Sequence, residues 1–394
     1  MLNTSFSAWP SFTAEEADAV HAILLSNKVN YWTGTECREF EKEFAAWTGT
    51  SYAISLANGT LALDIALRAL GVGLGDEVIV TPRSFIASIS SVVNAGAVPI
   101  FADVDVNSGC ISSETIERVI TSKSKAIIPV HLGGYPCNMD PIMNLAEKFN
   151  LKVIEDCAQA HGARYKGRPV GSIGHIGAWS FCQDKIMTTG GEGGMVTTND
   201  AELWSKMWSL KDHGKSYEAI YTKIHPPGFK WLHESFGANA RMLEMQGVIG
   251  RIQLKRMKQW TERRTKNAMA IWDACRKYSC IRVPIFDDHE NSTLHAHYKC
   301  YVYVEPSQLL GGWTRDRIID EINALGVPCY QGSCSEVYLE KAFENTGWRP
   351  KSRLLDAQEL GESSLMFLVH PTLTEDDILK TCDAIRCVLA KASR

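Results

Sequence analysis

The stretch Ile154 to Gly194, IEDCAQAHGARYKGRPVGSIGHIGAWSFCQDKIMTTGGEGG, holds an acid and a lysine in suggestive places. A short apolar run, Leu151-Lys152-Val153-Ile154, ends in Glu155 and Asp156. A second run, Ala178-Trp179-Ser180-Phe181, is followed by Lys185 and a glycine cluster, Gly190, Gly191, Gly193 and Gly194. An acid ending one strand and a lysine just past another are what pyridoxal phosphate (PLP) chemistry needs most. The lysine bonds to the aldehyde, and the acid keeps the pyridine nitrogen protonated so that the ring accepts electrons. A lone lysine among 41 Lys and Arg is ordinarily a solvated surface group. Lys185 is set apart by the apolar strand before it and the glycine-rich loop after it. Gln159, three residues past Asp156, shares its face if a helical turn begins there.

Other strand ends must gather around this pair. A strand at Tyr52–Leu56 runs into Asn58-Gly59-Thr60 and a Leu/Ala-rich helix to Leu70. Asn58 is a candidate N-cap. A strand–turn–helix start offers free amides and a helix dipole to an anion, although most such turns are only caps. Gly75-Asp76 turns into a strand over 77–81. Phe85 lies just past its carboxyl end, where ligands collect on open parallel sheets; it reads as a stacking ring or as core. A helix over 86–95, a strand over 98–102, a helix over 113–121, a strand over 126–131 and a helix over 140–149 follow. This alternation predicts a mostly parallel sheet with helices on both faces.

Upstream, residues 13–47 predict two helices. Thr13, Glu15 and Glu16 start the first, and Ala17, Val20, Ile23 and Leu24 give it an apolar stripe. Tyr31 and Trp32 between them read as core, or as substrate contacts. Downstream, a helix at Ala201–Asp212 leads to a long loop reaching about Phe236, of a length usually functional or disordered. Asn239 and Arg241 close it, and Leu243–Tyr278 reads as one long helical region. A domain change is expected inside it, giving a large domain of 1–255 and a small α+β domain of 256–394. The small domain has strands at 281–284, 298–304, 326–330 and 364–368, a helix at 314–324 and a last helix from Glu375 to about Lys391.

Composition narrows the class. The chain has 394 residues, 45% hydrophobic and 22% charged, an ordinary globular balance. No apolar run approaches the ~18 residues of a membrane span, and the N-terminus has no secretory pattern. A net charge of −4 without a long basic run argues against bulk attraction to nucleic acid. A local basic pocket for an anionic small molecule stays open. The twelve cysteines include no C-x-x-C pair, so reduced thiols in a cytoplasmic protein are expected, with no metal site.

With these residues in view, the chain resembles the DegT/DnrJ/EryC1/StrS family of PLP-dependent sugar aminotransferases along nearly its whole length. Asn58-Gly59-Thr60 with Ala62-Leu63 is similar to the family's S-G-T-x-A-L, and Gly75-Asp76-Glu77-Val78-Ile79 to its G-D-E-V-I. Ala95-Gly96-Ala97 with Pro99, then Asp103 to Asp105, resemble A-G-A-x-P and D-V-D. His131 to Asp140 resembles H-x-x-G-x-P-x-D-M-D. Glu155 to Ala160 with Val170-Gly171-Ser172 fits the acid-bearing segment. Ser180-Phe181, Lys185 and Gly191-Glu192-Gly193-Gly194 fit the lysine segment. Gly237 to Met242 resembles G-x-N-x-R-M, and His370-Pro371 with Leu373-Thr374 the closing H-P-x-L-T.

The resemblance implies fold type I of the PLP-dependent transferases, like aspartate aminotransferase: a mostly parallel seven-stranded sheet and a smaller C-terminal α+β domain. It implies Lys185 as the cofactor's covalent anchor, Asp156 at the pyridine nitrogen, Gln159 at the phenolic oxygen and Phe85 stacked on the ring. Gly59, Thr60 and Ser180 would hold the phosphate, and Asn239 would reach the neighbouring subunit's site in a homodimer. The implied reaction moves nitrogen from L-glutamate to a nucleotide-linked keto-deoxyhexose, 4-keto ahead of 3-keto. The product would serve amino-sugar and surface-polysaccharide assembly, O-antigen and lipopolysaccharide included. A keto-cyclitol aminotransferase and a non-enzymatic PLP-binding regulator are the alternatives. The chain departs from the pattern in having one residue more between Lys185 and the G-E-G-G run. It also has Asn58 for the usual Ser, and Ala238 and Ala240 around Asn239. Lysine rather than histidine at 185 sets it apart from the family's sugar dehydratases.

Overall fold

Two helices, α1 (Ala14–Ser26) and α2 (Glu36–Thr48), precede a run in which strand and helix alternate. The run is β1 (Tyr52–Leu56), α3 (Gly59–Ala69), β2 (Glu77–Val80), α4 (Ala87–Asn94), β3 (Val98–Phe101), α5 (Ser113–Glu117), β4 (Ser124–Ile128), α6 (Met139–Lys148) and β5 (Lys152–Asp156). A two-residue ribbon, β6 (Arg164–Tyr165) and β7 (Arg168–Pro169), leads to β8 (Ile176–Ser180) and β9 (Gly194–Thr198). The computed structural model describes residues 6–285 and 292–394.

Seven of these strands form one sheet in the order β1-β9-β8-β5-β4-β2-β3. Neighbours from β8 to β3 pair in parallel, and β9 runs against both β1 and β8. A sheet covered on both faces needs apolar residues at successive positions. Val78, Val80 and Ile154 join the core on one face, while Ile79, Ile127 and Val153 join the core on the other. The strand 126–131 expected from the sequence instead runs 124–128, because Pro129 has no N–H for the ladder.

The chain continues through α7 (Ala201–Lys211), α8 (Tyr217–Tyr221) and the 32-residue α9 (Glu244–Cys275). Position 255 lies within α9, which is unbroken. A second, antiparallel sheet follows, built from β10 (Ile281–Arg282), β11 (Cys300–Val304), β12 (Cys329–Tyr330) and β13 (Ser364–Phe367) in the order β10-β11-β13-β12. Its helices are α10 (Arg315–Ala324), α11 (Leu355–Ser363) and α12 (Glu375–Ala392). The far half of α9, α10 and α12 share one core with this sheet, whereas Ala357 and Leu360 of α11 pack into the core of the large one. The β6–β7 ribbon, α8 and α11 were not expected from sequence. They are short, or carry too little periodic apolar pattern to stand out.

The first helix departs from its expected packing. Glu16 is its buried residue, paired with Arg256 Nη1 at 2.7 Å and closing a capping box with Thr13. Ala17 and Leu24 of the expected stripe are exposed. Thus Glu16 anchors α1 to α9 through Arg256, while Val20 and Ile23 of the stripe are half-buried. Among the described residues no helix is long and apolar enough to cross a membrane.

Candidate active site

The carboxyl ends of β1, β8, β5, β4 and β2 open on one edge of the large sheet, and Asp156 is the last residue of β5. Its backbone is pinned on both sides. Its N–H donates to Pro129 O at 2.9 Å, and the next amide, Cys157, donates to Ala178 O at 2.8 Å. Its buried carboxylate accepts from the Ser88 hydroxyl at 2.7 Å and from the Ala158 amide at 3.1 Å. Burial raises its pKa above the ordinary aspartate range, although Ser88, Ala158 and Lys185 pull the other way.

The neighbouring acid has a different task. Side chains alternate along a strand, so Glu155 points to the opposite face. There it accepts from the amides of Gly171 at 2.9 Å, Ile173 at 2.8 Å and Gly174 at 2.6 Å, and meets His131 Nε2 at 3.0 Å. Burial opposes its charge, but His131 and these amides outweigh it and hold the carboxyl below its ordinary range. His131 Nδ1 accepts from the Cys137 amide at 3.0 Å, so its proton sits on Nε2 and faces Glu155. Glu155 is therefore a structural tie between β5, the loop after β4 and the loop before β8. Gln159 is tied to that loop after β4: its Oε1 accepts from the Gly133 amide at 2.8 Å.

Lys185 sits in the turn between β8 and β9. The Thr188 amide donates to Gln253 Oε1 at 3.0 Å, the Thr188 hydroxyl to Phe181 O at 2.9 Å, and the Gly191 amide to Thr188 Oγ1 at 3.2 Å. Gly190 and Gly191 have φ of 86° and 116°, which side-chain-bearing residues adopt only with strain. Lys185 Nζ lies 3.8 Å from Asp184 Oδ1 and 5.1 Å from the centroid of the Tyr298 ring. The Trp9 indole N–H donates to Lys185 O at 2.8 Å, so the N-terminal segment clasps the turn.

Beside Ser180 lies the start of α3. Asn58 caps it, its side chain accepting from the Leu61 amide at 2.9 Å. The earlier first-turn amides, Gly59 and Thr60, have no partner inside the helix. A Cβ on Gly59 would stand 2.5 Å from Ser180 Cβ and 2.9 Å from its Oγ, so only glycine lets the helix start approach so closely. Phe85 is 68% exposed after β2, and Asn239 is exposed where it bridges to Asp212. The fold thus brings Asp156, Gln159, Ser180, Lys185, Gly59 and Thr60 to one edge, while Phe85 and Asn239 stand at the surface of the chain. Sequence reasoning missed Ser88, Trp9 and Tyr298. Ser88 was within reach of it, three residues past Phe85 on a predicted helix. Trp9 carried no signal, since it meets Lys185 across 176 positions.

Residues 10–386 match the model of the DegT/DnrJ/EryC1/StrS aminotransferase family. The chain belongs to this family. It is 66% identical to an aminotransferase of Psychrobacter cryohalolentis known by X-ray structure, covering 98% of this chain and 99% of that one with a TM-score of 0.96. GDP-perosamine synthase of Escherichia coli O157:H7 is 33% identical over 380 residues, 95% of this chain and 96% of its own. The dTDP-3-amino-3,4,6-trideoxy-alpha-D-glucose transaminase of Streptomyces venezuelae is 31% identical over 380 residues, 96% of this chain and 93% of its own. The enzyme is an aminotransferase of the PLP-dependent kind.

The residues present fit that cofactor. A buried carboxylate held by one hydroxyl and one amide is incomplete without a cation opposite it. A protonated pyridine nitrogen supplies that cation. The start of α3, which glycine at 59 lets approach Ser180 closely, offers free amides, a hydroxyl and a positive dipole end, the donors a phosphate needs.

Proposed function

We propose that this aminotransferase moves an amino group from L-glutamate to a nucleotide-linked keto-deoxyhexose, at a C4 ketone, for amino-sugar and surface-polysaccharide assembly. One observation carries the reading: an acid, a lysine and the free first-turn amides of α3, packed against Ser180, converge on one sheet edge. The relatives named for GDP-perosamine and for a dTDP-linked amino sugar support the acceptor class.

PLP, when bound, supplies a ring that draws electrons from the donor's amino-bearing carbon. Lys185 anchors it and, once released, is the base whose Nζ takes the proton from the donor's Cα. Asp156 keeps a proton on the pyridine nitrogen. Gln159, with Oε1 already engaged by Gly133, offers its NH₂ to the phenolic oxygen. The Gly59 and Thr60 amides, the Thr60 hydroxyl and Ser180 hold the phosphate, and Phe85 stacks on the ring.

The working unit in this reading is a cytoplasmic homodimer with shared sites, where Asn239 reaches the other subunit's phosphate. The exposed position of Asn239 supports it. So do large apolar side chains left in water along the preceding segment, Trp231 at 82% and Phe236 at 94% exposure.

The test is a panel of 4-keto and 3-keto deoxyhexoses on GDP, dTDP and UDP, plus an inosose, offered with L-glutamate to the PLP-loaded enzyme. Amination of a 4-keto sugar nucleotide, lost in Lys185→Ala, is expected. Protein that stays colourless with added PLP, or turnover of the inosose alone, overturns the reading. Amination of 3-keto sugars alone refutes the C4 assignment and keeps the acceptor class.

A further inference from the structure

A second set of charged groups lies against the lysine turn, and the reaction described above does not use it. Arg264 projects from α9 and is 1% exposed. Its Nη1 makes two long contacts, each 3.4 Å, to the carbonyl oxygens of His297 and Tyr298. Its Nε and Nη2 have no hydrogen-bond partner among the described residues. Burial pulls its pKa down to about 9. A buried guanidinium with two idle donors is costly unless something arrives to pair with it.

Arg264 lines a cavity of about 280 Å³ together with Trp9, Asp184, Tyr298, Lys299 and His370. The Trp9 ring covers the guanidinium at 5.1 Å, and the same indole holds Lys185 O. The Tyr298 ring faces two ammonium groups, Lys185 at 5.1 Å and Lys299 at 4.8 Å. The cavity therefore adjoins the residue that anchors the cofactor. Asp184 is already engaged by the Tyr298 hydroxyl and by Lys185. His370 is neutral, its pKa lowered to about 3 by burial and by Arg264 and Lys299. Arg264 and Lys299 against Asp184 leave this wall with one net positive charge. Ligand pockets for drug-sized molecules run from about 300 to 1,000 Å³. This one has room for an amino acid but is small for a nucleotide-linked hexose.

We propose that this cavity seats a carboxylate of the amino-acid donor, with Arg264 as its two-pronged partner and Lys299 as a second positive charge. The guanidinium fork matches a carboxylate in geometry as well as sign, and its two idle nitrogens are the pair such recognition uses. Trp9 completes the pocket from the N-terminal segment and ties it to the lysine turn. The assignment rests on the reading of an amino-acid donor.

The test uses the PLP-loaded enzyme and glutarate, a dicarboxylate with no amine to react. Calorimetric titration is expected to show glutarate binding to the unmodified enzyme. Arg264→Gln and Lys299→Gln should each weaken it roughly 10–100-fold, the worth of a charge-assisted hydrogen bond. Their PLP titrations should stay where they are. Comparing L-alanine with L-glutamate in the donor half-reaction then locates the contact. An equal loss for both assigns the α-carboxylate, and a loss confined to glutamate assigns the side-chain one; both support the proposal. It is overturned if glutarate does not bind, if inorganic phosphate displaces it preferentially, or if both variants bind it unchanged. Should Arg264→Gln fail to fold, half-buried Lys299 carries the test. Failure of the donor reading is distinguishable: no amino acid would then alter the cofactor absorbance of the unmodified enzyme.

Discussion

Replacing Gly59 by alanine probes the start of α3 directly. In an ordinary helix the change stabilises by up to about 1 kcal/mol, because glycine has more freedom to lose on folding. Here the new Cβ would stand 2.5 Å from Ser180 Cβ, 2.9 Å from its Oγ and 3.0 Å from its Cα. Carbon atoms rest about 3.5–4.0 Å apart, so about 1 Å of separation has to be found. Ser180 ends β8, which is bonded to β9 on one side and β5 on the other. The first turn of α3 is therefore the part that yields. Overpacking of this kind costs about 1–3 kcal/mol, which exceeds the propensity gain, so the net sign is destabilising. The larger effect falls on the cofactor. Moving the first-turn amides weakens a charged hydrogen bond worth about 1.5–3 kcal/mol, which is roughly 10–100-fold in PLP affinity. The assay is an absorbance titration of the cofactor-free enzyme with PLP, alongside a thermal melt. In a chain this long 1 kcal/mol shifts the melting point by only about 1–2 °C, so the titration is the sharper reading. Adding Ser180→Gly removes the first two contacts and should recover part of the lost melting temperature of the cofactor-free protein, less the cost of a glycine within a strand. Gly59→Ala protein that melts no lower than the unmodified enzyme and binds PLP equally well refutes both the contact and the assignment of phosphate to this turn.

Three further outcomes are expected. Glu155→Ala strips three amides and His131 of their acceptor in a fully buried place, and should cost about 3–5 kcal/mol in urea unfolding; a loss under about 1 kcal/mol would contradict the tie described here. If the proposed shared-site dimer holds, the Lys185→Ala and Asn239→Ala proteins, each impaired alone, should regain activity when unfolded and refolded together. A mixed dimer holds one site with both residues intact, and absence of any regain rules out shared sites. Lys299 has its pKa lowered to about 8 by burial, with Arg264 and Lys185 adding repulsion and Asp184 opposing them. It is charged below that pH and neutral above, so glutarate affinity should fall as pH rises through about 8. Lys299→Met should flatten that step, and an unchanged step would assign the titration to another group. Glutarate is the right probe because an amino-acid donor has its own amine titration of opposite effect.

Much of the fold was legible because its signals are local. The alternation of apolar runs with helical stripes between residues 52 and 198 set out the large sheet, and the glycines after Lys185 marked a tight turn. Boundaries slipped where a single residue intervened, as Pro129 does at the end of β4. The apolar stripe of α1 misled, because periodicity reports which residues share a face and not what covers that face. Here Glu16, paired with Arg256, is the buried contact, and Val20 and Ile23 are only half-covered.

By itself the sequence determined the chemistry on offer: an acid at a strand end, a lysine in a glycine-rich turn, and a capped helix start. Composition and spacing carry those, since each belongs to one short segment. Two adjacent acids, however, were equally placed in that stretch. The strand's alternation and the amides of Gly171, Ile173 and Gly174 consign Glu155 to structure and leave Asp156 facing the site. Only the tertiary structure brought Trp9 and Arg264 to the lysine turn, because such contacts depend on how α9 and the N-terminal segment cross the sheet edge. No local pattern encodes an encounter across 176 residues.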